Sequence, residues 1–173
     1  MAELRPPAGA TIQPTIDAES RLRDAHHDAL RLWLRLFTCS QLIERAIRVR
    51  LRRDFNTTLP RFDLLAQLER NPNGLKMGEL SKRLMVTGGN ITGLTDQLVK
   101  EGLVRRRPIS GDRRAFAVQL TSKGKHAFDA MASTHEQWVI RLLAGLSVAE
   151  RRSLYALLGR AKAAVRSVEE ERA

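Results

Sequence analysis

A single cysteine, Cys39, among 173 residues excludes an intramolecular disulfide framework and a multi-cysteine metal site. Aromatic residues make up only 5%, so the core must be filled by Leu, Ile, Val and Ala, which suits packed helices better than a strand-rich sandwich. No apolar run approaches the ~20 residues that a membrane span needs. Residues 1–18 contain no signal-peptide apolar stretch, and Pro6, Pro7 and Pro14 make them read as a flexible arm. Nothing reads as a phosphate loop, as H-E-x-x-H or as G-x-S-x-G, and His26, His27, His126 and His135 have no evident metal-ligand partners. The expectation is a cytoplasmic protein that is not an enzyme, with no membrane association, no metal and no cofactor.

Acidic side chains are also scarce, 19 against 30 Lys and Arg, for a formal net charge of +11. A surface that positive attracts polyanions. The excess is focused: Ser81 to Lys125 holds ten Lys or Arg against three acids, the concentration expected of a phosphate-binding footprint. Five of those ten, Arg105, Arg106, Arg107, Arg113 and Arg114, flank the turn in "PISGDRR". Their mutual repulsion needs a compensating partner.

Hydrophobic periodicity predicts a mostly α chain with a small β-hairpin. Leu22, Leu30, Trp33, Leu34, Phe37, Leu42, Ile43, Ala46, Ile47 and Leu51 recur at spacings mostly of three or four with no internal Gly or Pro, which predicts one long amphipathic helix ending before "NTTLP". Phe62, Leu64, Leu65 and Leu68 mark a shorter helix. "KMGELSKRLMV" and "TGGNITGLTDQLVKEGLV" then give two helices joined by a few residues, with Thr87 as N-cap and Gly102 as stop. That is helix-turn-helix spacing, in which the second helix can enter a major groove. "LVRRR" and "RAFAVQL" read as two strands about a Ser-Gly-Asp turn, the second alternating Phe116, Val118 and Leu120 against Ala115, Ala117 and Gln119. Thr121 caps a further long helix, and Ser147 with Glu150 forms a capping box that opens the last one. The domain reading is arm 1–18, dimerisation helix 19–56, DNA-binding domain 57–120 and C-terminal dimerisation helices 121–173.

"GDRRAFAVQLTSKG" and, before it, "LSKRLMVTGGNITGLTDQLVKEGLV" resemble the D-x-R…L-T-x-x-G wing signature and the preceding helix-turn-helix of the MarR family of winged helix-turn-helix transcription regulators. The resemblance implies a helical homodimer on a pseudo-palindromic double-stranded DNA site, with two recognition helices ~34 Å apart. It implies that Arg114 enters the minor groove, that Asp112 orients it, and that Arg107 and Arg113 lie near phosphate. An arginine so placed gains from the negative potential of a narrow A·T-rich groove. On the recognition helix the outward positions are Thr87, Gly88, Gly89, Asn90, Thr92 and Gly93; Asn90 suits adenine and Thr92 a thymine methyl or a phosphate. The family often has a basic residue where this chain has Gly93.

The same resemblance implies a small aromatic or anionic effector in a cleft lined by His26, His27, Trp33, Phe37, Arg61, Phe62, Met131 and Trp138. Each has a plainer reading: Trp33, Phe37 and Phe62 as core, His26 and His27 as an exposed pair. The stretch from "LPRFDLLAQLERNPNG" onward resembles the branch that answers aromatic acids or hydroxycinnamoyl-CoA, whose phosphates the arginines at 45, 48, 50, 52 and 53 can serve. The expected function is therefore a ligand-released repressor of an aromatic catabolic operon. Two rivals stay open: a sequence-neutral, architectural nucleic-acid binder using the same basic surface, and a peroxide sensor using Cys39. The latter residue reads more simply as a small buried hydrophobe.

Overall fold

The computed structural model describes residues 27–109 and 112–171, apart from the side chains of 112–115. His26 and the arm 1–18 lie outside the described residues. The chain divides into two compact units, Met1–Glu44 and Arg45–Ala173. Their boundary falls inside the first helix, α1 (Asp28–Phe55). This helix starts on an acid, Asp28, and finishes on Arg52 and Arg53, charges matched to its dipole. Asn56, with φ of +46°, ends it in a left-handed conformation that asparagine tolerates.

The second unit builds a small core from short elements. α2 (Leu59–Glu69) carries Pro60 in its first turn, where a missing N–H costs nothing. A two-residue strand β1 (Leu75–Lys76) leads into α3 (Met77–Leu84), a tight turn and α4 (Gly88–Lys100). β2 (Val104–Ile109) and β3 (Asp112–Leu120) form an antiparallel hairpin, and β1 adds to the free edge of β3, giving the order β1-β3-β2. Leu51 of α1, Leu64, Leu65 and Leu68 of α2, Leu80 of α3, Ile91 and Leu98 of α4, and Val104 and Val118 of the hairpin are all withdrawn from water. Burying such a side chain contributes roughly 1.5–3 kcal/mol, so these positions hold the helix-turn-helix to its sheet.

α5 (Ser122–Leu142) and α6 (Val148–Glu170) complete the chain. Thr121 caps α5 through its hydroxyl, which accepts from Gly124 N at 3.0 Å and donates to the Gly102 carbonyl at 2.7 Å. Ser147 and Glu150 form the expected reciprocal box, with Ser147 N donating to Glu150 Oε2 at 2.7 Å and Glu150 N to Ser147 Oγ at 3.2 Å. α5 buries Phe128, Met131 and Trp138, whereas α6 buries no residue at all.

Three sequence expectations need correction. Cys39 is exposed, not a small buried hydrophobe, and Trp33 and Phe37 are 56% and 49% exposed rather than core. Periodicity detects an apolar side of α1, which is buried at Ile47 and Leu51 but left open at Trp33 and Phe37 by the described residues. Gln119, expected on the open side of its strand, is buried at 5% exposure while Phe116 is exposed. The glutamine is drawn in because its amide serves both directions, Nε2 donating to the Pro72 carbonyl at 3.2 Å and Oε1 accepting from Arg105 Nη2 at 3.3 Å.

Candidate DNA-binding face

α4 turns its apolar side, Ile91, Thr95 and Leu98, into the core. Its outward side carries Gly88, Gly89, Asn90, Thr92 and Gly93, all exposed, with Thr87 exposed at its start. The structure therefore brings these sequence candidates onto one face. Thr87 is the N-cap residue, yet its side chain makes no capping bond, so the first N–H groups of α4 are not satisfied by it. Free N–H groups at the positive end of a helix dipole favour anions such as phosphate. Thr92 is partly engaged already, its hydroxyl donating to the Gly88 carbonyl at 2.9 Å.

The hairpin beside α4 is basic but not uniformly free. Arg106 forms an ion pair with Asp96 of α4, tying strand to helix, and Arg105 reaches Gln119. Arg107 is exposed and pairs with none of the described residues. Asp112, Arg113 and Arg114 belong to β3 by backbone; their side chains lie outside the described residues. The repulsion anticipated among the arginines is thus relieved by a counter-charge within the chain at Arg106, while Arg105 is held by a neutral amide.

A junction fixes α4 to the rest of the domain. Gly102, with φ of +72°, turns the chain from α4 into β2 in a conformation that suits glycine. Glu101, at the C-cap of α4, pairs with Arg61 of α2, and its carbonyl accepts from Lys123 Nζ at 2.8 Å. The hydrogen bond from Arg61 holds the Glu101 carboxyl below its ordinary range. On the far side Gly124 sits so close to the chain that a Cβ there would lie 1.9 Å from the Leu103 carbonyl oxygen. The L-T-x-x-G pattern of residues 120–124 is thereby explained: the threonine caps α5, and the glycine lets α5 pack onto the α4–β2 corner.

The effector candidates separate. His27, half-buried, and the stacked rings of Trp33 and Phe37, centroids 5.7 Å apart, belong to the first unit. Phe62 packs against Phe128 at 5.5 Å and His135 at 4.9 Å, and His135 meets Trp138 edge-on at 6.4 Å. Met131 is buried on the same helix as Trp138. Arg61 is engaged by Glu101, with its Nε buried and unpartnered. Sequence reasoning missed His135, although its spacing from Met131 and Trp138 puts the three on one side of α5. Burial lowers the pKa of its imidazole. A cavity of about 450 Å³ opens elsewhere, lined by Leu68, Glu69, Pro72, Leu120, Thr121, Ser122, Lys125 and His126, and it includes none of the effector candidates. Among the described residues no helix is long and apolar enough to cross a membrane.

The model of the MarR family matches residues 57–116, from just after α1 into β3. The HTH-type transcriptional regulator PecS of Dickeya dadantii is 35% identical over 101 residues, 57% of this chain; the chain spans only 61% of the length of that relative. The crystal structure of a MarR family transcriptional regulator from Silicibacter pomeroyi is 31% identical, with a TM-score of 0.63 over 88% of this chain and 100% of that one. A mutant of MarR from E. coli, crystallised in complex with operator DNA, shares the fold at a TM-score of 0.68 and 24% identity, over 80% of this chain and 99% of that one. Full coverage of the Silicibacter protein at that identity, with a helix-turn-helix and hairpin in the same order, decides the affiliation: the chain belongs to the MarR family of transcriptional regulators, proteins that regulate transcription rather than catalyse reactions.

Proposed function

We propose that this chain is a cytoplasmic, homodimeric repressor that binds a pseudo-palindromic DNA operator and releases it on binding an aromatic acid or its CoA thioester. The observation that carries the DNA-binding part is the face of α4, whose N-terminal N–H groups and exposed Asn90 stand free beside a hairpin bearing Arg107. A protein of the same fold has been crystallised with operator DNA, which supports DNA binding; helix-turn-helix spacing suggests α4 for a major groove, and the wing signature suggests Arg114 for the minor groove, with Asp112 orienting it and Arg113 near phosphate. Dimerisation is supported by α6, a helix of 23 residues with no buried side chain. The effector part is supported by the aromatic group Phe62, Phe128, His135 and Trp138, and by the exposed Arg45 and Arg52 as phosphate partners. Anion binding there lowers DNA affinity if the ligand prefers a conformation that DNA does not.

The test is fluorescence anisotropy on duplex from the region upstream of the chain's own coding sequence, against a scrambled duplex, with and without p-coumaroyl-CoA. Preference for the native duplex that the thioester abolishes is the expected result. Preference untouched by the thioester discards that effector and leaves the regulator. Equal affinity for this and other upstream fragments, relative to scrambled DNA, turns the reading to a sequence-neutral binder.

A further inference from the structure

The turn between α3 and α4 contains an anomaly. Met85, the C-cap of α3, has φ of +53° and ψ of +38°, the left-handed region that glycine occupies freely and a bulky side chain does not. The turn itself is firmly built: Met85 N donates to the Lys82 carbonyl at 3.3 Å, Val86 N to the Ser81 carbonyl at 3.2 Å, and Ser81 Oγ to the Val86 carbonyl at 2.6 Å. None of these bonds uses the methionine side chain. Nor does packing, because Met85 is 94% exposed. Glycine, the usual residue at such a helix end, would serve the turn better, and the methionine side chain stands free to act outside the chain.

What lies next to it defines the occupant. Met85 stands two residues before Thr87, at the entry to the face proposed to meet DNA. That face is poor in side chains: Gly88, Gly89 and Gly93 have open space where a Cβ would stand, and the Thr92 hydroxyl already donates to its own helix. Few polar groups are left to read base edges. The apolar feature that a major groove presents is the thymine methyl, and an unbranched, polarisable thioether adapts well to such a surface.

We propose that Met85 is a specificity-determining residue that packs against a thymine methyl beside the N-terminus of α4. The assignment rests on the DNA-binding reading of that helix. It makes sequence preference in this protein depend on an apolar contact from the turn, where the glycine-rich helix supplies little readout of its own.

The experiment uses the full chain and a duplex selected by it from a random pool, with thymines replaced singly by deoxyuridine, which lacks only the methyl group. The parent should lose about fourfold in affinity at one thymine per half-site, the worth of one buried methyl-sized group. Met85→Gly should bind the selected duplex roughly tenfold more weakly, as loss of a partly buried large side chain implies, and should no longer distinguish thymine from uracil there. Met85→Leu should restore both. A circular-dichroism melt checks that Met85→Gly folds, as a glycine at that φ should. Parental affinity in Met85→Gly, or the same thymine preference in it, overturns the proposal; so does a protein partner captured by Met85 with no effect on DNA. If Asn90→Ala weakens selected binding while Met85→Gly does not, the DNA reading survives and the methionine contact falls. If no duplex is preferred over a scrambled one, both fall.

Discussion

Replacing Gly124 by alanine isolates the contact that joins α5 to the α4–β2 corner. The new Cβ would stand 1.9 Å from the Leu103 oxygen and 2.8 Å from its carbonyl carbon. Both are backbone atoms, so no rotamer change relieves the overlap, and the corner must retreat by about 1 Å to reach even a tight contact of 3.0 Å. That carbonyl accepts from Thr121 N at 3.1 Å. Losing that bond costs about 1 kcal/mol, and overpacking adds about 1–3 kcal/mol. Alanine returns about 1 kcal/mol through helix propensity. The expected net loss is about 1–3 kcal/mol, measured by urea unfolding followed by circular dichroism. Gly93→Ala is the control: it lies in a helix with nothing near its Cβ position, and should stabilise the chain by up to about 1 kcal/mol. Gly124→Ala as stable as the parent would refute the reasoning, because the packing would then not require glycine.

Three further perturbations probe separate parts of the molecule. Arg114→Ala should weaken operator binding by about 1–3 kcal/mol in the same anisotropy assay, and unchanged affinity would remove the wing arginine from the mechanism. His135 is held below its ordinary 6.5 by burial, so the unfolded chain binds its proton more readily than the folded one. Stability should then fall as pH drops below 6.5 towards the folded value and be regained above it; His135→Phe should flatten that slope in pH-dependent unfolding, and an unaltered slope would assign it to another group. Cys39 is exposed and so within reach of peroxide, yet ligand release predicts that DNA binding by the parent and by Cys39→Ser is equally insensitive to it. Release of the parent alone would move sensing to the thiol.

The elements that could be read in advance were those fixed by local chemistry. Thr121 and the Ser147–Glu150 pair were legible as caps because a hydroxyl at that position can satisfy a helix start within four residues. The outward face of α4 followed from the spacing of Ile91 and Leu98. β1 was not legible, since two residues cannot display an alternation, and its pairing of Leu75 with Val118 depends on a partner over forty residues away. Gln119 was misplaced for a related reason: its burial is set by Pro72, across the sheet, and not by its own strand. Cap identity also did not guarantee cap chemistry, for Thr87 holds the N-cap position without using its hydroxyl there. The Arg106–Asp96 and Arg61–Glu101 pairs join segments whose proximity only the fold creates.

α6 poses the last physical problem. Leu154, Leu157, Leu158, Val165 and Val168 recur along it at helical spacing and are all exposed. A helix in water draws most of its stability from packing such a face against something, and none of the described residues buries it. In the proposed homodimer a second copy would supply the missing surface, so sedimentation should give twice the 19.5 kDa chain mass, and the melting temperature should rise with protein concentration. Leu158→Asp should shift the chain towards monomer and lower that temperature, because a carboxylate would have to be buried in the interface. Operator affinity should fall with it far more than affinity for random DNA, since only a dimer spans both half-sites. A monomer at micromolar concentration, with a melting temperature indifferent to dilution, would sink this reading and with it the two-fold operator, leaving α6 to be covered by a different protein.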